Sequence, residues 1–194
     1  LKTVVLGDAS VGKTSLINRF AKQKFNESQT STVGAAFSTV VMPIENCSVK
    51  LEIWDTAGQE KYASLAPMYY RGSPSCLILF DVTMKNTFER AKNWIEEVHQ
   101  NNSADCYILL IGNKIDVQKR EVSYDEANEV AQAFKVRYME CSAKTGQNVN
   151  EVFTELAKMA PKLLEKPQVN LQPTRVNKNV QRPAQQQNGQ KGCC

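Results

Sequence analysis

Apolar positions along this chain fall into two rhythms. Short runs rich in branched and aromatic side chains occur at Thr3–Leu6, Phe37–Ile44, Val49–Trp54, Cys76–Val82, Tyr107–Ile111 and Arg137–Glu140. Their length and composition make each of them a strand. Between or after these runs the apolar residues recur every three to four positions, which predicts helices over Thr14–Ala21, Thr87–Gln100, Tyr124–Phe134 and Val149–Lys158. Strand alternating with helix predicts an α/β domain built on a six-stranded, mainly parallel sheet with helices on both faces. The second and third runs are separated only by Glu45 to Ser48, a hairpin-length gap, so one edge strand is expected to be antiparallel. Sheets of this kind bind ligands beyond the carboxyl ends of their strands.

Beyond Lys166 the pattern stops. Residues 167–194 are rich in Gln, Asn and Pro with almost no large apolar side chains, too few to offset the entropy of ordering. The expected organisation is one domain over residues 1–165 and a disordered tail over 166–194. Charge sharpens this division. The chain has 24 basic and 20 acidic residues, a formal excess of +4. Residues 167–194 hold Arg175, Lys178, Arg182 and Lys191 with no acidic residue beside them, which accounts for all of it. The domain is therefore neutral, which argues against nucleic acid as a partner. No apolar run approaches the roughly 20 residues of a membrane span, and the front of the sequence has no signal-peptide pattern. On that ground the protein is expected to act on the cytosolic side; a chain opening on Leu1 is separately expected to lack a few residues before it.

Candidate chemistry sits at the predicted strand ends. Gly7-Asp8-Ala9-Ser10-Val11-Gly12-Lys13-Thr14 follows an apolar run and, with Ser15, opens a helix, the required context for a phosphate-binding loop. The glycines let backbone N–H groups turn toward phosphate oxygens, Lys13 supplies a point charge for the outer phosphates, and the Thr14 hydroxyl can ligate Mg²⁺. Asp55-Thr56-Ala57-Gly58-Gln59 follows the third run. Asp55 stands where a Mg²⁺ carboxylate belongs, Gly58 can offer its N–H to a terminal phosphate, and Gln59 can orient a water but not act as a strong base. Asn113-Lys114-Ile115-Asp116 follows the fifth run. The Asp116 carboxylate can accept from both the N1–H and the exocyclic amine of guanine, whereas adenine leaves it unpaired. Ser142-Ala143-Lys144, after the last run, adds a backbone donor for the guanine carbonyl and a lysine stem to cover the ring. The four motifs together specify a guanine nucleotide.

The six cysteines, Cys47, Cys76, Cys106, Cys141, Cys193 and Cys194, show neither zinc-site nor disulfide spacing. Cys76 and Cys106 border apolar runs and read as core thiols. His99, the one histidine, ends a helical pattern and reads as solvated surface.

On these motifs the chain resembles a Ras-superfamily small GTPase, and within it a Rab, over residues 1 to about 165. The resemblance implies the small G domain of the phosphate-loop NTPases, GTP and GDP as ligands and Mg²⁺ as cofactor. It further implies that Thr32 ligates Mg²⁺ when the terminal phosphate is present and that Phe25 packs on the guanine. The stretch from Gln59 to Gly72 resembles a Rab switch II. With Val33-Gly34-Ala35-Ala36-Phe37 it is similar to the early-endosomal branch. Phe37, Trp54 and Tyr69 match the aromatic triad read by Rab effectors. Lys61 stands where the family usually has arginine, and Ala9-Ser10 replaces the glycine pair of Ras.

The closing Cys193-Cys194 lacks the cysteine-aliphatic-aliphatic-X pattern. Resemblance to Rabs implies that both carry geranylgeranyl groups, attached by a transferase with an escort protein. The 28 residues from Pro167, as a flexible coil, would average about 30 Å in reach. The implied protein is a monomeric vesicle-transport switch with an exchange factor, a GTPase-activating protein, a GDP-dissociation inhibitor and GTP-dependent effectors. It would sit on the cytosolic face of early endosomes, with a GDP-bound pool in the cytosol. The alternatives are a phosphate-loop small-molecule kinase, an adaptor that holds nucleotide without hydrolysing it, and a Rab of another compartment.

Overall fold

The computed structural model describes residues 1–45, 47–58, 65–102 and 105–164. Six strands, β1 (Lys2–Gly7), β2 (Ala35–Ile44), β3 (Cys47–Thr56), β4 (Ser75–Asp81), β5 (Tyr107–Asn113) and β6 (Arg137–Glu140), form one sheet in the order β2-β3-β1-β4-β5-β6. All neighbours are parallel except β2 and β3. The hairpin is tighter than its polar residues suggest, because pairing runs on to Ile44 and Cys47. The helices are α1 (Lys13–Lys22), α2 (Ala66–Tyr70), α3 (Lys85–Asn101), α4 (Tyr124–Ala133) and α5 (Val149–Leu164).

The central strands read as continuous apolar runs because both of their faces are covered. Side chains alternate between two cores. Val5, Leu77, Leu79, Leu109 and Ile111 pack with Leu16, Phe20, Phe153 and Leu156 of α1 and α5. Val4, Leu6, Ile78, Phe80 and Leu110 pack on the opposite face with Phe88, Ile95 and Ala127 of α3 and α4. Phe20 stacks on Phe153 with ring centroids 3.8 Å apart.

Three features depart from the sequence pattern. Helix α2 is a single turn opened by Pro67, too short to show a period. Helix α5 continues past Lys158 through Pro161 to Leu164. Cys76, buried, and Cys106, half-buried, meet across the β4–β5 edge with sulfurs 3.8 Å apart, a proximity that linear spacing does not reveal. His99 is exposed, as expected. Among the described residues no helix is long and apolar enough to cross a membrane. The tail, with Cys193 and Cys194, lies outside the described residues, and so does Gln59.

Candidate functional site

The carboxyl ends of β1, β3, β5 and β6 converge on one cavity of about 440 Å³, a volume in the range of small-ligand sites. The loop after β1 forms its floor. Ala9, Ser10, Gly12, Lys13, Thr14 and Ser15 line the cavity, while Gly7, Asp8 and Val11 build the frame behind it. Gly12, at φ +98°, enters α1 in a left-handed conformation, and no described side chain caps that helix. Its first N–H groups thus point out of the N-terminus with the positive end of the helix dipole, an arrangement suited to an anion. A Cβ on Gly12 would collide with the Asn113 amide, so glycine is required for closeness as well as for backbone angle. Asp8 is held from α3 by Arg90, at 3.2 Å.

Lys13 is 6% exposed and donates to the carbonyls of Gly7 at 2.9 Å and Asp8 at 2.8 Å. Burial pushes its ammonium down to about 8, against the pull of Asp55 and Asp8. A cation this poorly hydrated gains much from a phosphate. Gly58 comes against it, and a Cβ there would strike Lys13 Nζ and the Asp8 carbonyl. The Gly58 backbone therefore approaches the phosphate loop as no larger residue could.

Three oxygen-bearing side chains meet beside Lys13. Thr14 Oγ1 donates to Asp55 Oδ2 at 2.7 Å and lies 2.9 Å from Thr32 Oγ1. Thr32 Oγ1 donates to the same carboxylate oxygen at 3.4 Å. Burial raises the Asp55 carboxyl, an effect opposed by the Thr14 hydrogen bond and by Lys13, and Asp55 Oδ1 is buried without a partner among the described residues. An all-oxygen set with an orphaned carboxylate oxygen fits a small hard dication such as Mg²⁺. Backbone ties the same two segments together, since Ala57 N–H donates to the Gly34 carbonyl at 2.8 Å.

The other end of the cavity is organised by Asn113, at the tip of β5 and 1% exposed. Its Nδ2 donates to the Val11 carbonyl at 2.8 Å, and its Oδ1 accepts from the Ala143 N–H at 3.0 Å. One amide thus fastens the phosphate loop to the loop after β6. Ser142 Oγ donates to Asp116 Oδ1 at 2.5 Å and accepts from the Thr145 N–H at 3.0 Å, which fixes the carboxylate at the cavity wall. Lys114, at φ +68°, pairs with buried Asp81 of β4 at 2.6 Å. Phe25, half-buried, faces this end, and Lys144 reaches Glu27 at 3.0 Å. Ala143 lines the wall between them.

Asp81 and Arg19 were not apparent from the sequence. Asp81 ends an apolar strand and resembles a strand terminus, and Arg19 looks like an ordinary helix-end cation. Phe37, Trp54 and Tyr69 lie outside the cavity in one aromatic row, with centroid distances of 5.3 and 5.9 Å. Phe37 is 54% exposed, and Val33 and Met68 are exposed apolar side chains as well. Compared with known families, residues 2–162 match the model described as the Ras family.

Proposed function

The chain belongs to the Ras family of small GTPases, switches that bind guanine nucleotide and Mg²⁺, and within that family we propose that it is a membrane-anchored Rab-type GTPase of the endocytic route. The observation that carries the nucleotide assignment is the Asn113 bridge, which holds a lysine-bearing phosphate loop and a serine-fixed carboxylate at opposite ends of one cavity. In this reading the phosphates lie on the loop from Gly7 to Ser15 beside Lys13, and guanine lies between Phe25 and Lys144. Asp116 accepts from the base, and the Ala143 N–H, already given to Asn113, closes the loop around it. Thr14, Thr32 and Asp55 would hold Mg²⁺, which when bound neutralises charge on the outer phosphates. Thr32 and Gly58 then clamp the terminal phosphate, order both neighbouring segments and release them on hydrolysis.

In this reading Gln59, the residue after Gly58 in the sequence, has the water-positioning role. Its test is single-turnover hydrolysis of bound GTP. The parent is expected to turn over slowly, because no arginine is assigned to the transition state, and Gln59→Leu is expected to slow it by up to about 10²-fold at nearly unchanged GTP affinity, the cost of a misplaced nucleophile. A Leu variant as fast as the parent would transfer the role to another residue. A parent that binds GTP without hydrolysing it would favour the adaptor reading.

The Rab assignment is supported by the aromatic row and by the terminal Cys193-Cys194 pair. Partners in this reading are an exchange factor, an activating protein, a GDP-dissociation inhibitor, an escort protein with its geranylgeranyl transferase, and effectors that read Phe37, Trp54 and Tyr69. Two prenyl chains anchor stably where one binds marginally, and the four basic tail residues are too widely spaced to substitute at roughly 1 kcal/mol each. Changing Cys193 and Cys194 together to Ser is therefore expected to move the protein from membranes to cytosol with nucleotide binding intact. Cell fractionation checks it. A double variant that still pellets with membranes would locate the anchor elsewhere, and co-staining of the parent with early-endosomal markers tests the compartment.

A further inference from the structure

Arg19, in the last turn of α1, contacts both walls of the base end of the cavity without lining it. Its Nε donates to the Ala143 carbonyl at 2.9 Å and its Nη2 donates to the Lys144 carbonyl. Its Nη1 donates to the Gln23 carbonyl at 3.4 Å, and its guanidinium carbon lies 5.9 Å from the Phe25 ring centre. Gln23 caps α1 in a left-handed conformation, with its N–H on the Arg19 and Asn18 carbonyls. The chain leaving the helix is therefore turned toward Phe25 at the residue that Arg19 grips. One planar fork thus joins two segments distant in sequence, Phe25 on one side of the slot and Ala143-Lys144, 124 residues beyond Arg19 itself, on the other.

Only one other side-chain link described across the same gap carries charge, the ion pair of Lys144 and Glu27, whose side chains are 57% and 75% exposed. An exposed pair of this kind contributes little. The half-buried guanidinium, with two donors committed to two successive carbonyls in a geometry that lysine cannot copy, carries the closure. We infer that Arg19 is a positioning residue that sets the width of the base slot and thereby the residence time of guanine nucleotide, an inference that rests on the reading of this cavity as a guanine-nucleotide site. Release requires the Phe25 segment and the 142–144 loop to part, and Arg19 is the bond that must break.

The test uses the full chain loaded with ribose-labelled fluorescent GDP and chased with excess GDP. Arg19→Ala is expected to dissociate labelled GDP about tenfold faster or more, the scale of losing charge-assisted bonds to carbonyls. Arg19→Lys should fall between it and the parent, since a point charge serves one carbonyl at a time. Hydrolysis of pre-bound GTP should slow far less than dissociation accelerates, because the described bonds of Arg19 go to Gln23, Ala143 and Lys144 and none to Thr14, Thr32 or Gly58. That split separates slot closure from general loosening of the fold, which would degrade both. Parental dissociation rates in both variants overturn the inference while leaving the site assignment standing. A parent that takes up no labelled GDP overturns the site assignment, and the inference with it. If the Ala variant does not fold, Arg19→Lys alone decides: a rate equal to the parent's overturns the inference.

Discussion

Asp116→Asn is expected to cut GDP affinity by about 10²–10⁴-fold, because two charge-assisted hydrogen bonds at roughly 1.5–3 kcal/mol each give way to one neutral bond and one donor facing a donor, and to raise affinity for xanthosine diphosphate. The amide keeps one acceptor and gains a donor, which suits the ring carbonyl that xanthine has in place of guanine's amine. The substitution is nearly isosteric, and Ser142 Oγ can still donate to an amide oxygen where it now donates to Asp116 Oδ1 at 2.5 Å. The fold and the 142–145 turn should therefore persist, so that the change is one of base preference and not of stability. Competition between the two diphosphates for the purified chain measures it. Unchanged GDP affinity with no gain for the xanthine nucleotide would remove Asp116 from the base site.

Thr14→Asn should weaken GTP by about 10–10²-fold, on the scale of losing a partly buried hydrogen bond to a charged group together with a metal ligand, and GDP by clearly less. Thr14 Oγ1 is the shared member of the oxygen cluster, 2.7 Å from Asp55 and 2.9 Å from Thr32. Removing it disconnects the hydroxyl that ties the phosphate loop to the Thr32 segment. In the proposed site Thr14 would help hold the Mg²⁺ that neutralises charge on the outer phosphates, and GTP brings more of that charge than GDP, so the triphosphate would bear the larger loss. In cells such a protein should occupy its exchange factor without reaching its effectors. Equal weakening of both nucleotides would contradict the assignment of Thr14 to the metal.

The sheet was legible because its central strands are buried on both faces and because motifs punctuate the carboxyl ends of several strands. Thr3–Leu6 and Tyr107–Ile111 could be read without knowing their neighbours. Helix α2 could not, since Ala66–Tyr70 is one turn and a single turn has no periodicity. Most of the site residues that contact ligand in the proposed reading were legible because the chemistry of phosphate and guanine prescribes them locally, whereas Thr32 and Phe25 came only from the family resemblance. What holds those residues was not. Asn113 was expected at the nucleotide, yet its amide is committed to Val11 and Ala143, partners set by tertiary structure. Asp81 meets Lys114 only because β4 and β5 pair in register from Ser75–Tyr107 to Asp81–Asn113. The same pairing brings Cys76 to Cys106, and Arg19 reaches Ala143 only through the packing of α1 beside the loop after β6.

The uncapped start of α1 changes what stability means for this protein. Its donors and the buried Lys13 ammonium are satisfied best by an anion, so folding and ligand binding share one free energy. A ligand at a thousandfold excess over its Kd adds about 4 kcal/mol by mass action, a large part of the roughly 5–15 kcal/mol that holds a typical domain together. Melting temperature should therefore report the concentration of nucleotide as much as the quality of the core. A core substitution that looks severe in dilute buffer should be partly masked in a nucleotide-rich medium. Mutations at the site should lower protein abundance as well as activity, because they remove a ligand that acts as part of the fold.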